Sequence, residues 1–320
     1  MLKITVPASS ANLGAGFDAL GLALTLYNRV WMEEADGCRI ETTDGAAVPL
    51  DESNMIYHTA RLLYARCGRP FRGLHILQEN NIPMTRGLGS SSACLVAGLL
   101  GANTLLGSPL SREDICDLAT ELEGHPDNVA PAVYGGLTMS WDMETAEGVG
   151  SVPIPGGEPM HNGFHTINYR VADDLTAAVF VPDYELSTEK ARQALPTEIP
   201  FKDAVHNVSR VSLLPAAMNP AMLASGSRQN ANALLFAATQ DRLHQPYRAL
   251  LMEPSWALIE KMRSHGFAST VSGAGPCVLV LHHGDAHEEL ERIAAEELAS
   301  GHWRVLHLAV DTKGVQVERA

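Results

Sequence analysis

The segment from Ser91 to Leu106 restricts the fold more than any other. Beyond its opening serines its only polar side chains are Asn103 and Thr104, so it reads as a helix that is apolar nearly all round. Such a helix has no face to offer water and must lie in a protein interior. Its apolar stretch, Ala93 to Ala102, is about half of the roughly 20 residues that a membrane-spanning helix needs. Directly ahead of it runs Pro83-Met84-Thr85-Arg86-Gly87-Leu88-Gly89-Ser90-Ser91-Ser92-Ala93. The two glycines let the backbone approach a ligand without a Cβ in the way. The first turn of the helix carries unpaired N–H groups and the positive end of the macrodipole, which together make an anion site. A serine hydroxyl there can also reach a Mg²⁺ that bridges phosphates. The alternative is a plain glycine turn with a serine cap before a core helix. The Gly-Lys-Ser/Thr of a Walker loop occurs nowhere in the chain.

The rest of the 320 residues mixes helices and strands without regular βα alternation, which favours an α+β fold. Leu2 to Val6 alternates and reads as a strand, followed by a small-residue loop to Phe17. Ala19 to Trp31 is helix or strand in its first half and strand at its end. Helical spacing runs over 54–67, a strand over 73–77, and a helix over 111–123 with Ser111 as N-cap and Asp114 three residues on. The stretch from Ser151 to Asn162, rich in proline and glycine, reads as a linker, which divides the chain into domains 1–160 and 161–320. The second domain reads as strands over 176–181, 277–281 and 303–310. Its helices fall over 187–194, 203–218 (broken near Pro215), 230–238, 255–264 and 288–298.

A formal net charge of −14 argues against nucleic acid or an anionic membrane as partner. An anionic small molecule remains compatible, provided that local devices supply the positive charge. Five scattered cysteines with no C-x-x-C pair read as reduced and cytosolic. The N-terminus, with Asn12 and Asp18 interrupting its apolar residues, does not read as a signal peptide.

Three other segments carry chemistry-bearing residues. Gly14-Ala15-Gly16-Phe17-Asp18-Ala19 fits the dinucleotide fingerprint, with Asp36 as the ribose acid, but its strand ends seven residues too early. Glu121-Leu122-Glu123-Gly124-His125-Pro126-Asp127-Asn128 closes a helix and enters a turn. It is either ordinary turn chemistry or a carboxylate set for Mg²⁺ with a hydroxyl-orienting pair; His125 with Glu121 lacks the third ligand zinc would need. Val271-Ser272-Gly273-Ala274-Gly275-Pro276-Cys277 is a glycine turn entering an apolar strand.

In this order the segments resemble the GHMP kinase superfamily. Pro7 to Gly14 looks like its first motif, Pro83 to Ala93 its second and Val271 to Cys277 its third. Asn12-Leu13-Gly14-Ala15-Gly16-Phe17-Asp18 is similar to the N-L-G-P-G-F-D of the homoserine kinase branch, with Ala15 in place of proline. His125 to Pro131, Leu186 to Arg192 with Leu195-Pro196, Asn207 to Arg210 and Asp241 to Arg248 also resemble that branch. The resemblance implies a two-domain fold. The N-terminal domain would be like ribosomal protein S5 domain 2 and the C-terminal one ferredoxin-like, in a homodimer located in the cytoplasm.

It also implies ATP-dependent phosphorylation of the hydroxyl of L-homoserine in threonine biosynthesis, with ATP and Mg²⁺. Gly87, Leu88, Gly89, Ser90, Ser91, Ser92 and Ala93, with Pro83 and Arg86, would cradle the phosphates. Asn54 would lie on the adenine side. Ser91 and Glu121 would hold Mg²⁺, with Glu123 the less favoured choice. Arg210 and Arg248 would bind the substrate carboxylate and Asp18 the ammonium. Asn12 and His125 would line the pocket, Asn128 would orient the hydroxyl and Asp127 is the candidate base. Another small-alcohol kinase of the superfamily and a non-catalytic kinase-fold sensor are the competing readings.

Overall fold

The computed structural model describes residues 1–146, 148–224 and 230–319. Leu2–Ala11 (β1) pairs antiparallel with Leu20–Glu34 (β2), and a register shift between Pro7 and Ala8 lets the strand run on through the proline. The expected loop after Val6 is therefore strand as far as Ala11; its small residues lie flat against β2. Between the two strands no helix follows Gly14–Ala19, which removes the dinucleotide reading. Asp36 sits in a turn before Gly37–Thr42 (β3) and pairs with Arg72.

Met55–Arg66 (α1) and Gly73–Glu79 (β4) fall where the spacing puts them. Ser90–Leu105 (α2) is the buried helix, packed between β1, β2, α1 and the next two helices, Arg112–Glu123 (α3) and Pro126–Tyr134 (α4). The capping box at Ser111 and Asp114 is formed as expected. Asp127 and Asn128 open α4 rather than lie in a turn, because Pro126 occupies the first helical position, where its missing N–H costs nothing. Leu137–Met143 (β5) follows.

The proline- and glycine-rich stretch forms a two-stranded hairpin, Ser151–Val152 (β6) with Met160–His161 (β7). Gly163–Tyr169 (β8) then pairs with β5. The chain first changes sheet between Tyr169 and Leu175–Pro182 (β9), so the hairpin is a protrusion of the first sheet and not a link to the second.

Thr188–Gln193 (α5), Phe201–Val211 (α6), Leu214–Met218 (α7), Ala231–Ala238 (α8), Gln245–Arg248 (α9) and Glu253–Ser264 (α10) precede Ala268–Val271 (β10) and Val278–His283 (β11). His287–Ile293 (α11), Ala295–Ala299 (α12), Trp303–Ala309 (β12) and Gln316–Arg319 (β13) complete the chain. The second sheet has the order β10-β11-β9-β12, antiparallel throughout, which is the split βαβ arrangement of ferredoxin-like domains. Strand β13 returns to pair with β1, so the last residues belong to the first sheet. Among the described residues no helix is long and apolar enough to cross a membrane.

Candidate active site

One cleft collects the loop after β1, the glycine-serine loop, the start of α4, α5, α9 and the turn between β10 and β11. The loop that leads into α2 is tied down from two sides. Ser9 N–H donates to Leu88 O at 3.2 Å, and Cys277 N–H donates to Arg86 O at 3.2 Å. Ser272 Oγ donates to Gly87 O at 2.6 Å, which leaves it to accept from Ser10 Oγ at 2.8 Å. The three motif segments are thus one hydrogen-bonded unit.

Its glycines are required by geometry. Gly87 has φ +79° and a Cβ there would stand 2.1 Å from Ser272 O; Gly89 has φ +69° and its Cβ would stand 2.0 Å from Ser9 Oγ. Gly89 is the N-cap of α2 and brings no side chain to its free N–H groups, and the first turn contains no acid. The positive end of a sixteen-residue helix therefore opens into the cleft at Ser90 and Ser91. In a chain of net charge −14, this end and the arginines described below supply the local positive field.

The carboxylate beside this turn is Glu123, not Glu121. Glu123 accepts from Ser91 Oγ at 3.0 Å and from Ser92 Oγ at 2.9 Å. Two residues apart on a helix means about 200° of rotation, so Glu121 projects into solvent when Glu123 faces α2. Among the described residues no cluster of three His, Cys, Asp or Glu side chains is placed to hold a metal. Ser91 with Glu123 is instead an all-oxygen pair of the kind Mg²⁺ uses when phosphates complete its shell.

Other expected nucleotide residues serve differently. Asn54 caps α1 through its Oδ1, and its Nδ2 donates to Pro49 O and Gln78 Oε1, so its side chain is buried and spent. Arg86 borders the cleft, but its guanidinium makes four hydrogen bonds, to Pro182 O, Met84 O, Asp183 O and Glu185, and clamps the loop to the end of β9. Pro83 lines the cleft. Leu88, Ser92 and Ala93 are buried beneath it.

On the opposite wall Asn12 accepts from Asp18 N–H at 3.0 Å and donates to Gly273 O at 2.8 Å. Asn12, Leu13 and Asp18 all have positive φ, strain that this cross-bracing sustains. Asp18 accepts two 2.9 Å hydrogen bonds from Arg192 on α5. That hydrogen bond, opposed by burial and aided by the carboxylate's charge, holds the Arg192 pKa above its usual value.

Arg248, only 2% exposed, donates to Ala191 O, Gly273 O and His244 Nδ1, each at 3.2 Å, and lies 5.3 Å from the Phe17 ring centre. His244 Nε2 donates to Gly14 O at 2.8 Å, so its Nδ1 is a bare acceptor and the ring is neutral; burial pushes its pKa down. Burial also lowers the Arg248 pKa, against the charge of Asp18. Arg210 is not in the cleft; it bonds Gln240 and Ser209 on the surface of α6. The second cleft arginine is Arg192. Its only signal in the sequence was its place in the Leu186–Arg192 segment.

At the start of α4, His125 Nδ1 lies 2.6 Å from Asp127 Oδ1, and both residues line the cleft. Burial opposes charge on His125, but the hydrogen bond and charge of Asp127 outweigh it and raise the pKa above 6.5. A group raised on folding stabilises fully below its unfolded value and loses that contribution as pH rises through the folded value. The stability gap between wild type and Asp127→Asn should therefore be wider at pH 6 than at pH 9. Thermal unfolding across that range checks it, and a gap independent of pH would refute the ion pair. Asn128 Oδ1 accepts from Ser9 Oγ at 2.9 Å, which leaves its Nδ2 for a ligand.

Two family models match the chain: the GHMP kinases N terminal domain over residues 54–136 and the GHMP kinases C terminal domain over 218–300. A homoserine kinase of Clavibacter michiganensis is 39% identical, over 99% of this chain and 94% of its own. Among solved structures, a homoserine kinase from Cytophaga hutchinsonii superposes with a TM-score of 0.78 at 26% identity, covering 99% of this chain and 97% of that one. A putative homoserine kinase from Listeria monocytogenes gives 0.71 at 31% identity, with both chains covered in full.

Proposed function

The chain belongs to the GHMP kinase family, among the homoserine kinases, and from that premise we propose that its cleft transfers the γ-phosphoryl group of ATP to the side-chain hydroxyl of L-homoserine, yielding O-phospho-L-homoserine for threonine biosynthesis. One observation carries the reading to these residues. An uncapped helix N-terminus faces, across a single cleft, a carboxylate flanked by two arginines. The first suits a polyphosphate and the second a zwitterion.

The backbone from Gly87 to Ser91 cradles the phosphates. Ser91 and Glu123 would hold Mg²⁺, which when bound neutralises phosphate charge. Asp18 takes the ammonium, and Arg192 and Arg248 take the carboxylate with directional charged hydrogen bonds. Asn12 braces Asp18 and Gly273. Asn128 Nδ2 orients the hydroxyl. As its oxygen bonds to the γ-phosphorus and the bond to ADP breaks, the proton passes to Asp127 Oδ2, which has no partner among the described residues; Oδ1 is held by His125. Asp127 already shares its other oxygen with His125 at 2.6 Å, and positioning and charge stabilisation supply most of the acceleration.

All five cysteines are free thiols, which supports a reducing, cytoplasmic location. The family resemblance implies a homodimer, and an exposed apolar face on α6 supports that reading. Phe201, Val205 and Val208 lie on one face of α6 and are 84%, 53% and 64% exposed. Light scattering should give twice the chain mass.

The deciding experiment measures phosphate transfer to homoserine, mevalonate and shikimate in parallel. Preference for an alcohol that is not an amino acid overturns the proposal. ATP binding without transfer to homoserine would favour a non-catalytic sensor.

A further inference from the structure

Asp18 and Arg192 come from segments that belong to different sheets. Asp18 sits in the loop between two strands of the first sheet, and Arg192 sits on the short helix that follows the first strand of the second. Their two parallel hydrogen bonds, both 2.9 Å, satisfy the carboxylate and half the guanidinium fork. This is also the geometry in which an arginine grips the carboxylate of an amino acid. The pair is about one-third exposed, whereas Arg248 beside it is buried. Asp18 is pinned by Asn12 through its own N–H, so Arg192, on a six-residue helix, is the freer partner.

We propose that the Asp18–Arg192 pair is an exchange latch. It closes the head-group pocket in the absence of substrate and opens without stranding a charge only for an alcohol that carries both an ammonium and a carboxylate. The proposal rests on the homoserine kinase reading and concerns how that site rejects other alcohols.

The argument is one of charge matching. Beside the His125–Asp127 pair, the closed pocket holds one carboxylate, Asp18, and two guanidinium groups, Arg192 and Arg248. A zwitterion replaces one internal ion pair by two external ones: its ammonium takes Asp18 as its carboxylate takes Arg192 and Arg248. An anion such as 4-hydroxybutanoate can take Arg192 only by leaving Asp18 alone. A cation such as 3-aminopropan-1-ol can take Asp18 only by leaving Arg192 without its carboxylate, while Arg248 keeps the partners it has. A site whose own charged groups lose their partners rejects the analogue far more strongly than one that merely lacks a contact. Discrimination of the wild type against either half-molecule should be on the order of 10²-fold or more in kcat/KM.

The test is to break the latch from each side. Asp18→Asn frees Arg192, so kcat/KM for 4-hydroxybutanoate should rise about tenfold or more above wild type while that for homoserine falls. Arg192→Gln frees Asp18, so kcat/KM for 3-aminopropan-1-ol should rise by about the same factor while homoserine again falls. If Asp18 and Arg192 were contacts and nothing more, the half-molecules would be used no better by the variants, and that result overturns the latch. Should one variant fail to bind ATP, the other decides. Failure of both makes the pair a folding element and also overturns it. Absence of homoserine turnover by the wild type defeats the kinase reading and the latch together, whereas turnover without either gain defeats the latch alone.

Discussion

Glu123→Gln should lower kcat by roughly 10²–10³-fold, the range seen when one fixed stabiliser of transition-state charge is removed, and Glu121→Gln should leave it within about twofold of wild type, as expected of an exposed side chain. Both substitutions keep shape and remove one charge, so the comparison isolates where the charge stands. Glu123 holds the hydroxyls of Ser91 and Ser92 at the mouth of α2, and Glu121 is exposed and makes no side-chain hydrogen bond among the described residues. The amide oxygen that replaces the Glu123 carboxylate still accepts one serine hydroxyl, so the fold should survive. Ser91→Ala removes the other oxygen and should raise KM for Mg²⁺-ATP more than KM for homoserine. Steady-state kinetics at varied Mg²⁺ read both effects. Equal rates for the two glutamine variants would move the metal site elsewhere.

The second large effect is at Arg248. Arg248→Leu should raise KM for homoserine by about 10²-fold, the size of one or two charged hydrogen bonds, with little change in KM for ATP. The same substitution also leaves Ala191 O and His244 Nδ1 without their donor in a buried place, while Gly273 O keeps its hydrogen bond from Asn12. Each unpaired group costs about 1–3 kcal/mol, so the thermal midpoint should fall as well. Arg248→Lys separates the two. It keeps a positive charge and loses the planar fork, so KM should rise while much of the stability returns. Equal rises in KM for both substrates would reject the assignment of Arg248 to the carboxylate.

Much of the cleft is legible in the sequence. The glycine-serine loop, the buried helix after it and the Ser111 cap form as their motifs imply, and Asn12, Asp18, His125, Asp127, Asn128 and Arg248 line one cleft. Errors fell where a side chain's role depends on its direction. Asn54 belongs to a helix cap and Arg86 to a clamp, because each finds enough local partners to spend its donors away from the cleft. Strands β3, β5, β8 and β13 were unread because short strands are identified mainly by their neighbours. The segment rich in proline and glycine looked like a linker because composition reports turns but not which strands a turn joins.

The local chain alone dictates a glycine loop that opens onto the free N–H groups of a core helix. Glycine's freedom at positive φ and an apolar surface all round are properties of the local chain, legible wherever the rest of it goes. Long-range packing puts Glu123 and Arg192, rather than Glu121 and Arg210, at the cleft. Which side of a helix looks inward is set by what packs against it, and a charge pair such as Asp18 with Arg192 comes into being only when two sheets bring together residues far apart in the chain.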